Sequence, residues 1–419
     1  ALGRKYFMPS FPYRVRPETA VLTRGFDPKL SVGAARPPVY RSSTYVFSSP
    51  EAAEHAFAIV LGKAQPVAGD APDLIYARLN HPNAEILEDQ LAPLESGASA
   101  AAVFNSGMAA IFTTMLAFLE RGRTLLYTQP LYGGTQHLIH HIIEPLGFRA
   151  RGVTAGRTEA IAAAIAAEKD LGLVLIETPA NPTLTMTDIK AAAEAVQRHP
   201  RRPLLAVDNT LLGPAFQHPL ARGADLVIYS ATKFLGGFSD LLAGVLLARD
   251  AGLIEQVRGT RALAGNILQA DECWMLSSRL STVALRMNRQ SKNAERIADN
   301  LVRHPRVSRV IYPSLFADAE QIRIREAQTD YPGSLLSLQL AGGKPAAFNF
   351  LRRLEIARNA VSLGGVETLA CHPLTTTHSE LSADELESAG ITDSLVRISV
   401  GVEHWRDLLL DFTQALDNG

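Results

Sequence analysis

Short apolar runs alternate with amphipathic stretches through the middle of the chain. The apolar runs, each ended by polar or glycine-rich residues, predict β-strands at 101–104, 123–128, 148–153, 173–177, 204–208, 226–229 and 244–248. The amphipathic stretches between them predict helices at 108–119, 135–146, 158–167 and 188–199. Continuous apolar strands separated by helices are typical of a mainly parallel sheet covered on both faces. We therefore expect an α/β domain here.

The two ends of the chain follow other patterns. Residues 1–65 are rich in Pro, Arg and aromatic residues, which predicts an extended arm that lies on another surface, such as that of another subunit. A helical pattern over 271–304 leads into a second α/β unit, with strands predicted at 309–312, 335–340, 359–362 and 396–400 and a closing helix at 403–416. This divides the chain into an arm (1–65), a large domain (66–270) and a smaller C-terminal domain (271–419).

The composition excludes several classes of protein. The chain has 419 residues, 47% of them hydrophobic, and a formal net charge of -1, which argues against binding to nucleic acid or to a membrane surface. Its two cysteines, Cys273 and Cys371, make no disulfide framework. Apolar runs are too short for a membrane span, no signal-peptide core is seen, and we expect a cytoplasmic protein. No glycine fingerprint of a dinucleotide or P-loop site occurs.

Three histidines, His137, His140 and His141, fall at helical spacing. They could share a metal ion, but no Cys or carboxylate accompanies them, and a mixed helix face explains them equally well. We predict no metal site.

The strongest chemical signal lies at the end of the apolar run 226–229, where Ser230, Thr232 and Lys233 precede a glycine pair. Chemistry in α/β proteins usually sits at strand ends. A lysine on apolar walls tends to lose its proton and can attack a carbonyl group, while the hydroxyls suit an anion. A surface lysine that merely follows a strand is the alternative.

A carboxylate, Asp208, ends the strand before. A pyridoxal 5'-phosphate (PLP) site needs this combination, namely a lysine for the aldehyde and an acid that keeps the ring nitrogen protonated. An Asp at a strand end also serves often as a helix cap or turn former.

Other loops supply candidate ligands for such a cofactor. Gly107 and Met108 start a helix after a strand, where free NH groups bind phosphate, although a plain helix cap looks the same. Tyr132 could stack on a ring and hold a proton, or be a packed turn aromatic. Asn181, held between two prolines, could hydrogen-bond a ring oxygen. Arg397, inside an apolar strand, suits either a substrate carboxylate or a structural ion pair.

Taken together, these motifs resemble the cystathionine γ-synthase-like, or Cys/Met metabolism, family of fold-type I PLP enzymes. They occur in the family's order from Tyr76 to Val402, and Ser-Ala-Thr-Lys-Phe-Leu-Gly-Gly at 230–237 is close to the family's lysine signature. The resemblance implies a transferase or lyase fold with a mainly parallel seven-stranded sheet, a smaller C-terminal α/β domain and an N-terminal arm.

The resemblance also implies a role for each motif. Lys233 would bond to the cofactor aldehyde and move protons, Asp208 would pair with the ring nitrogen, and Tyr132 would stack on the ring and assist the leaving group. Asn181 would contact the ring hydroxyl. The phosphate would be bound by Gly107, Met108, Ser230 and Thr232, and by Tyr76 and Arg78 of a neighbouring subunit, which implies an obligate dimer and commonly a tetramer. Arg397 and the backbone near Ser362 would hold the substrate carboxylate.

The implied reaction is replacement or elimination at Cγ of a sulfur-containing or O-acylated amino acid. This chain departs from the family at three places that bear on the substrate. His81-Pro82-Asn83 replaces the family's Asn-Pro-Thr. Gly134 stands at the position of the Cys typical of methionine γ-lyases, and Val361 at the position of the acid found in cystathionine γ-lyases and some synthases. By contrast, Ser362 to Glu367 resembles the cystathionine enzymes. We expect γ-replacement on an O-acylhomoserine by a thiol, with γ-elimination giving 2-oxobutyrate, ammonia and a thiol as the alternative.

Overall fold

The computed structural model describes residues 15–64 and 73–418, and two β-sheets organise it. The larger sheet has seven strands in the order β1-β7-β6-β5-β4-β2-β3. They are β1 Ala100–Phe104, β2 Thr124–Gln129, β3 Arg149–Thr154, β4 Leu171–Glu177, β5 Leu204–Asp208, β6 Leu226–Ser230 and β7 Gly244–Ala248. All seven predicted strands are present. The pairs among β3, β2, β4, β5 and β6 are parallel, while β7 runs antiparallel to β1 and β6, so the sheet is mixed.

The side chains of this sheet form two cores, one on each face. Alternate residues such as Val103, Leu205 and Val227 face one cluster, and their neighbours Phe104, Ala206 and Ile228 face the other. Helices cover both faces, as predicted. The helices in chain order are α1 Pro17–Thr23, α2 Pro50–Val60, α3 Pro82–Leu91, α4 Gly107–Phe118, α5 Gly133–Leu138, α6 Thr158–Ala167, α7 Ile189–Arg198, α8 Ala251–Ala264, α9 Ala270–Leu280, α10 Val283–Leu301, α11 Ala319–Gln328, α12 Gly343–Arg353, α13 Ala383–Ser388 and α14 Trp405–Asp417.

The smaller sheet has five strands in the order β10-β11-β12-β9-β8. They are β8 Val307–Ile311, β9 Leu335–Leu340, β10 Arg358–Asn359, β11 Leu369–Cys371 and β12 Leu395–Ser399. The strand predicted at 359–362 is wrong beyond Asn359, because Ser362 has a left-handed backbone with φ of 93° that a strand cannot contain. The strand β11 was not predicted.

Two predicted helices are also corrected. The pattern at 271–304 forms α9 and α10 rather than one helix; the hydroxyls of Ser281 and Thr282 bond backwards to the carbonyls of Ser278 and Arg279 at the junction. The pattern at 135–146 forms α5 followed by a π-helical turn, Ile139–Ile143.

The described part of the arm lies on this chain's own surface. The carbonyl of Pro38 accepts from Asn83 Nδ2 (2.8 Å), and that of Pro37 accepts from Trp274 Nε1 (2.8 Å). The division of the chain at residues 65 and 270 stays a prediction. Among the helices of the described residues, none combines the length and apolar character needed to cross a membrane.

Candidate active site

A cavity of about 430 Å³ lies at the carboxyl ends of β4, β5 and β6 and is closed by residues of the smaller sheet. Its wall brings together residues that are up to 291 positions apart, from Ser106 to Arg397. Ten predicted site residues line it: Gly107, Met108, Tyr132, Asn181, Asp208, Ser230, Thr232, Lys233, Ser362 and Arg397. Parallel strands present their carboxyl ends at one sheet edge, which is why these motifs converge.

The amine of Lys233 points into this cavity and donates to Ser362 Oγ at 2.9 Å. Burial, and then the nearby Arg397 guanidinium, lower the pKa of Lys233 to about 8. At neutral pH a usable fraction of the amine is therefore unprotonated, as a carbonyl nucleophile requires.

The turn around Ser362 is held tightly against the lysine. A Cβ atom on Gly364 would lie 2.7 Å from the backbone nitrogen of Phe234 and 3.0 Å from the carbonyl carbon of Lys233. The NH of Gly364 donates to Ser399 Oγ at 2.9 Å. Since Ser362 also adopts a backbone conformation that favours glycine, the surrounding contacts hold it in place beside Lys233.

Two carboxyl groups lie side by side at the back of the cavity. Glu177 and Asp208 are partners in the register of β4 and β5, and both line the cavity. Burial, and then the neighbouring Asp208, raise the pKa of Glu177 to about 8. Burial raises the pKa of Asp208 too, although its bonds from the Thr210 NH (3.0 Å) and hydroxyl (2.6 Å) oppose that shift.

Within the described residues, no cationic side chain forms an ion pair with either acid. Two buried acids without a counter-ion favour a cation between or beside them. A protonated pyridine nitrogen is such a cation, and one placed against Asp208 would let that acid ionise.

The start of α4 forms a cradle beside Ser230. Ser106 caps the helix by accepting from the NH of Ala109 at 3.1 Å, which leaves the NH groups of Gly107 and Met108 ahead of the helix's own hydrogen bonds. A Cβ atom on Gly107 would lie 2.8 Å from Ser230 Cβ, so only glycine fits. Such a helix start binds phosphate.

Tyr132 precedes the first turn of α5, and its ring lies over Gly134. A Cβ atom on Gly134 would approach Tyr132 Cε1 to 2.6 Å. Any larger residue at position 134 would therefore displace the ring.

Arg397 reaches the cavity from β12. Its Nη1 donates to Asn181 Oδ1 at 3.2 Å, and its Nη2 donates to the carbonyl of Ser362 at 2.7 Å. Its Nε is buried without a hydrogen-bond partner, and no carboxylate of the described residues pairs with it. Of the two sequence interpretations, an anion-binding role fits this arrangement better than a structural ion pair.

Tyr76 and Arg78 do not line this chain's own cavity. Arg78 donates to the carbonyl of Ala262 and lies 5.8 Å from the centre of the Tyr76 ring, and Tyr76 is 43% exposed. These two residues are thus presented at the surface of the chain.

The histidines of α5 and its π-helical turn have separate partners. His137 Nδ1 lies 2.8 Å from Glu380 Oε2, and His140 Nδ1 lies 2.7 Å from Glu144 Oε2. Across the described ranges, no three His, Cys, Asp or Glu side chains converge as a metal site would require.

Sequence reasoning missed several residues of the cavity. Glu177, Thr210, Thr376 and Thr377 line it, and the neighbouring His378 is buried. Burial, and then Arg397, lower the pKa of His378 to about 4, so this ring is neutral at physiological pH. Glu177 ends a predicted strand as Asp208 does, and that shared position was the signal available in the sequence.

The donors in the cavity fit pyridoxal phosphate. Lys233 offers an amine of lowered pKa, and the paired acids favour a cationic ring nitrogen. The start of α4 offers NH groups for the phosphate, and Arg397 has an Nε without a hydrogen-bond partner. The cavity is also large enough for a ring and a small amino acid.

Comparisons with known proteins agree with this chemistry. The model of the family described as Cys/Met metabolism PLP-dependent enzyme matches residues 18–417. L-methionine gamma-lyase of Pseudomonas putida is 36% identical over 400 residues, which are 95% of this chain and 96% of that protein. Cystathionine gamma-synthase of Mycobacterium bovis is 35% identical over 401 residues, 96% of each chain.

A solved structure shares the fold as well. Cystathionine gamma synthase of Xanthomonas oryzae pv. oryzae, in complex with aminoacrylate and cysteine, superposes with a TM-score of 0.87 at 32% identity, covering 97% of this chain and 98% of that one. The fold class expected from the sequence is therefore confirmed, as are the PLP cofactor and enzymatic activity in Cys/Met metabolism. This chain belongs to the Cys/Met metabolism family of PLP-dependent enzymes.

Proposed function

We propose that this enzyme catalyses γ-replacement, in which a thiol displaces the acyl group of an O-acylhomoserine. The observation that carries this choice is the combination of Gly134, over which the cavity-lining ring of Tyr132 lies, with Val361, which lines the cavity itself. Gly134 stands where methionine γ-lyases resembling this chain have Cys, and Val361 where cystathionine γ-lyases have an acid. The site thus lacks the marker of each lyase group.

The wall of the cavity supports a substrate whose γ group carries no positive charge. Val361 and Leu242 are 53% and 64% exposed and line the cavity together with Ile111. An ammonium group placed against them would lose hydration without gaining a partner, which disfavours cystathionine. An ester or a small sulfur group has no such cost.

A second opening gives the thiol a way in. A groove of about 1080 Å³ adjoins the cavity and shares Thr232, Leu242, Val361 and Ser362 with it. Replacement needs the acceptor to enter while the first substrate stays bound. The shared rim supports that order of events.

When bound, the cofactor supplies an electron sink that stabilises negative charge at Cα of the substrate. Asp208 would keep the ring nitrogen protonated, and the start of α4 with Ser230 and Thr232 would hold the phosphate. Arg397 lines the cavity, and its guanidinium would orient the substrate by its carboxylate. Lys233 takes the Cα proton and moves it within the cavity, since its lowered pKa lets the amine both accept and return a proton near neutrality. Tyr132 flanks the ring and assists departure of the leaving group.

The complete site in this proposal belongs to a homo-oligomer. Tyr76 and Arg78 lie outside their own cavity and on the surface, as expected if they reach the phosphate of a second copy. We infer a dimer with shared sites, commonly doubled to a tetramer in enzymes that this chain resembles.

A second candidate is γ-elimination from methionine. It is favoured by the apolar wall at Val361, which suits a methyl thioether, and by the similarity to L-methionine gamma-lyase of Pseudomonas putida. Gly134 argues against methionine elimination, because methionine γ-lyases typically have Cys at this position. In this chain a Cys side chain at position 134 would displace the Tyr132 ring.

Product analysis separates the two candidates. The purified holoenzyme is incubated with O-acetylhomoserine, O-succinylhomoserine, cystathionine or methionine, each with and without sulfide, methanethiol or cysteine. We expect a thioether or homocysteine from an O-acylhomoserine and thiol. Predominant 2-oxobutyrate from methionine would overturn the replacement assignment.

A variant sharpens the test. Val361→Glu introduces an acid at the cavity rim, and we expect it to raise activity with cysteine as acceptor relative to sulfide. Val361→Gln, similar in size but uncharged, is the matched control and should leave that preference unchanged.

A further inference from the structure

One buried carboxyl group, that of Glu177, joins two loops of the active site. Its Oε2 accepts from the backbone NH of Tyr132 at 2.7 Å, and its Oε1 accepts from the backbone NH of Asn181 at 2.9 Å. The residue is 5% exposed and lies at the end of β4, a rigid part of the sheet. Each loop is therefore tied to the same side chain by one hydrogen bond.

The two loops carry groups that the reaction needs on opposite sides of the cavity. Tyr132 presents the ring that lies over Gly134, and Asn181 accepts from Arg397, the proposed ligand of the substrate carboxylate. Glu177 lines the cavity, but each of its oxygens already accepts from one of these backbone NH groups. It therefore acts on the reaction by holding the backbone of the two loops.

The charge of Glu177 decides whether it can hold both loops. An ionised carboxylate accepts strongly on both oxygens, whereas protonation turns one oxygen into a hydroxyl, which accepts a bond from an NH group more weakly. Asp208 faces Glu177 from β5, the Thr128 hydroxyl accepts from its NH, and Asn181 links it to the Arg397 guanidinium. Burial, and then Asp208, oppose the negative charge on Glu177, so its ionisation responds to what Asp208 binds.

We propose that Glu177 is a positioning residue that holds Tyr132 and Asn181 at the cavity wall, and that a cationic ring on Asp208 strengthens this hold by letting both acids ionise. The inference rests on the PLP chemistry of the family and not on the choice of substrate. Burial and the neighbouring Asp208, which raise the pKa of Glu177, are consistent with a proton on the pair when no cation is bound.

Hydrogen exchange of backbone amides, followed by mass spectrometry, tests the proposal without substrate. In the apoprotein and the holoenzyme, peptides that contain the Tyr132 and Asn181 amides are compared between wild type and Glu177→Gln. The amide side chain can accept only one of the two bonds, so we expect about tenfold faster exchange in at least one peptide. Unchanged exchange in both would overturn the positioning role.

A matched control is available on α14. Asp411 is also a buried carboxylate, and it accepts from the backbone NH groups of Glu355 (2.8 Å), Ile356 (3.0 Å) and Ala357 (2.9 Å). Asp411→Asn should accelerate exchange at those amides and leave the peptides of Tyr132 and Asn181 unchanged. If it accelerates them equally, the effect of Glu177→Gln is general loosening, and the proposal fails.

Asp208→Asn tests the link to the ring and remains informative even if Glu177→Gln does not fold. The substitution takes away the second cause of the raised pKa of Glu177 and leaves burial, so Glu177 carries its negative charge more often, and we expect slower exchange at both amides than in the wild-type apoprotein. Addition of pyridoxal phosphate to the wild type should slow exchange in the same peptides. If neither Asp208→Asn nor added pyridoxal phosphate changes the exchange of these peptides, the proposed link between the ring and Glu177 is refuted. A different substrate in the product assay would leave all these outcomes intact.

A spectroscopic readout completes the design. The visible circular dichroism of the bound cofactor reports how asymmetrically the protein holds its ring. We expect Glu177→Gln to change this signal per bound cofactor, because the Tyr132 ring shifts, and Asp411→Asn to preserve it. A signal equal to wild type in Glu177→Gln would contradict the proposal.

Discussion

Buried carboxylates occur in two regions of this molecule, and their surroundings differ. Glu88, on α3, is 2% exposed and forms ion pairs with Arg258 and Arg261, the latter at 2.8 Å. Burial alone would raise the pKa of Glu88, but the two guanidinium groups lower it below its ordinary value. At the cavity, Glu177 and Asp208 have comparable burial and no paired cation among the described residues, and their pKa values are raised.

The presence or absence of a paired cation distinguishes a structural carboxylate from a proposed ligand-binding one. The charge of Glu88 is balanced within the chain, so this cluster can join α3 to α8 whether or not any ligand is bound. In the proposed site the cationic ring of the cofactor would balance the charge of the acid pair, so the pair would contribute binding specificity at some cost in stability. Four changes test the comparison.

The largest expected effect is that of Asp208→Asn. An Asn cannot keep the ring nitrogen protonated, so we expect kcat/KM to fall about 1000-fold, or ~4 kcal/mol. The free energy of unfolding of the apoprotein should not decrease, because the substitution removes a like charge beside Glu177. Activity within about tenfold of wild type would show that the acid is not the partner of the ring.

Glu88→Gln should show the reverse pattern. The substitution leaves two buried guanidinium groups without their counter-ion, and we expect a loss of about 3 kcal/mol in the free energy of unfolding. Urea titrations measure the loss, and the absorbance of bound cofactor should persist in the folded fraction. A loss below about 1 kcal/mol would mean that this cluster is not a stabilising ion pair.

The pH dependence of apoprotein stability should reveal the acid pair. The carboxyl of Glu177 keeps its proton up to about pH 8 when folded and loses it near its ordinary value of 4.5 when unfolded. Through this group the folded state binds more protons in this window, so the contribution of Glu177 to stability should fall as pH rises, by about 2 kcal/mol between pH 6 and pH 8. His378 and Lys233, whose pKa values are lowered, contribute slopes of the opposite sign, so the difference between the wild type and Glu177→Gln isolates the contribution of Glu177.

Urea unfolding at several pH values checks this slope. Glu177→Gln should remove the contribution of the acid pair, and saturating pyridoxal phosphate should remove it in the wild type. Equal slopes in the wild type and in Glu177→Gln would show that the pair titrates normally.

An exposed pair gives the smallest effect. The side chains of His137 and Glu380 are 51% and 70% exposed, and water screens their interaction. A double-mutant cycle with His137→Gln and Glu380→Gln should give a coupling energy of at most about 0.5 kcal/mol. A larger coupling energy would mean that the pair of His137 and Glu380 stabilises the fold, as the ion pairs of Glu88 are expected to do.

The sequence predicted the strands of the seven-stranded sheet to within two residues at each end, because most of them are buried apolar runs. The edge strand β3 is the exception, since it contains two arginines and is only partly buried. The prediction from sequence was less accurate where a side chain's local hydrogen bonds or the tertiary structure override the apolar pattern. The three-residue strand β11 is too short to show a pattern, and the hydroxyls of Ser281 and Thr282 interrupt a helix whose apolar periodicity continues past them.

The site followed a similar rule. Lys233, Asp208 and Arg397 were predicted as site residues because each is a charged residue in or next to an apolar run, and all three line the cavity. Glu177 has the same setting, but only the register of β4 and β5 reveals that it stands beside Asp208 and spans two loops. Likewise, the partners of Glu88 lie 170 and 173 positions away, which no local pattern could indicate.

The partner of Lys233 lies far along the chain. Ser362 follows the lysine by 129 positions, and Arg397 follows Asn181 by 216. During synthesis the large sheet and its lysine therefore leave the ribosome well before the groups that close the cavity. A nascent chain arrested before position 362 would expose Lys233 to free aldehydes, and selective capture of the cofactor has to await the last part of translation.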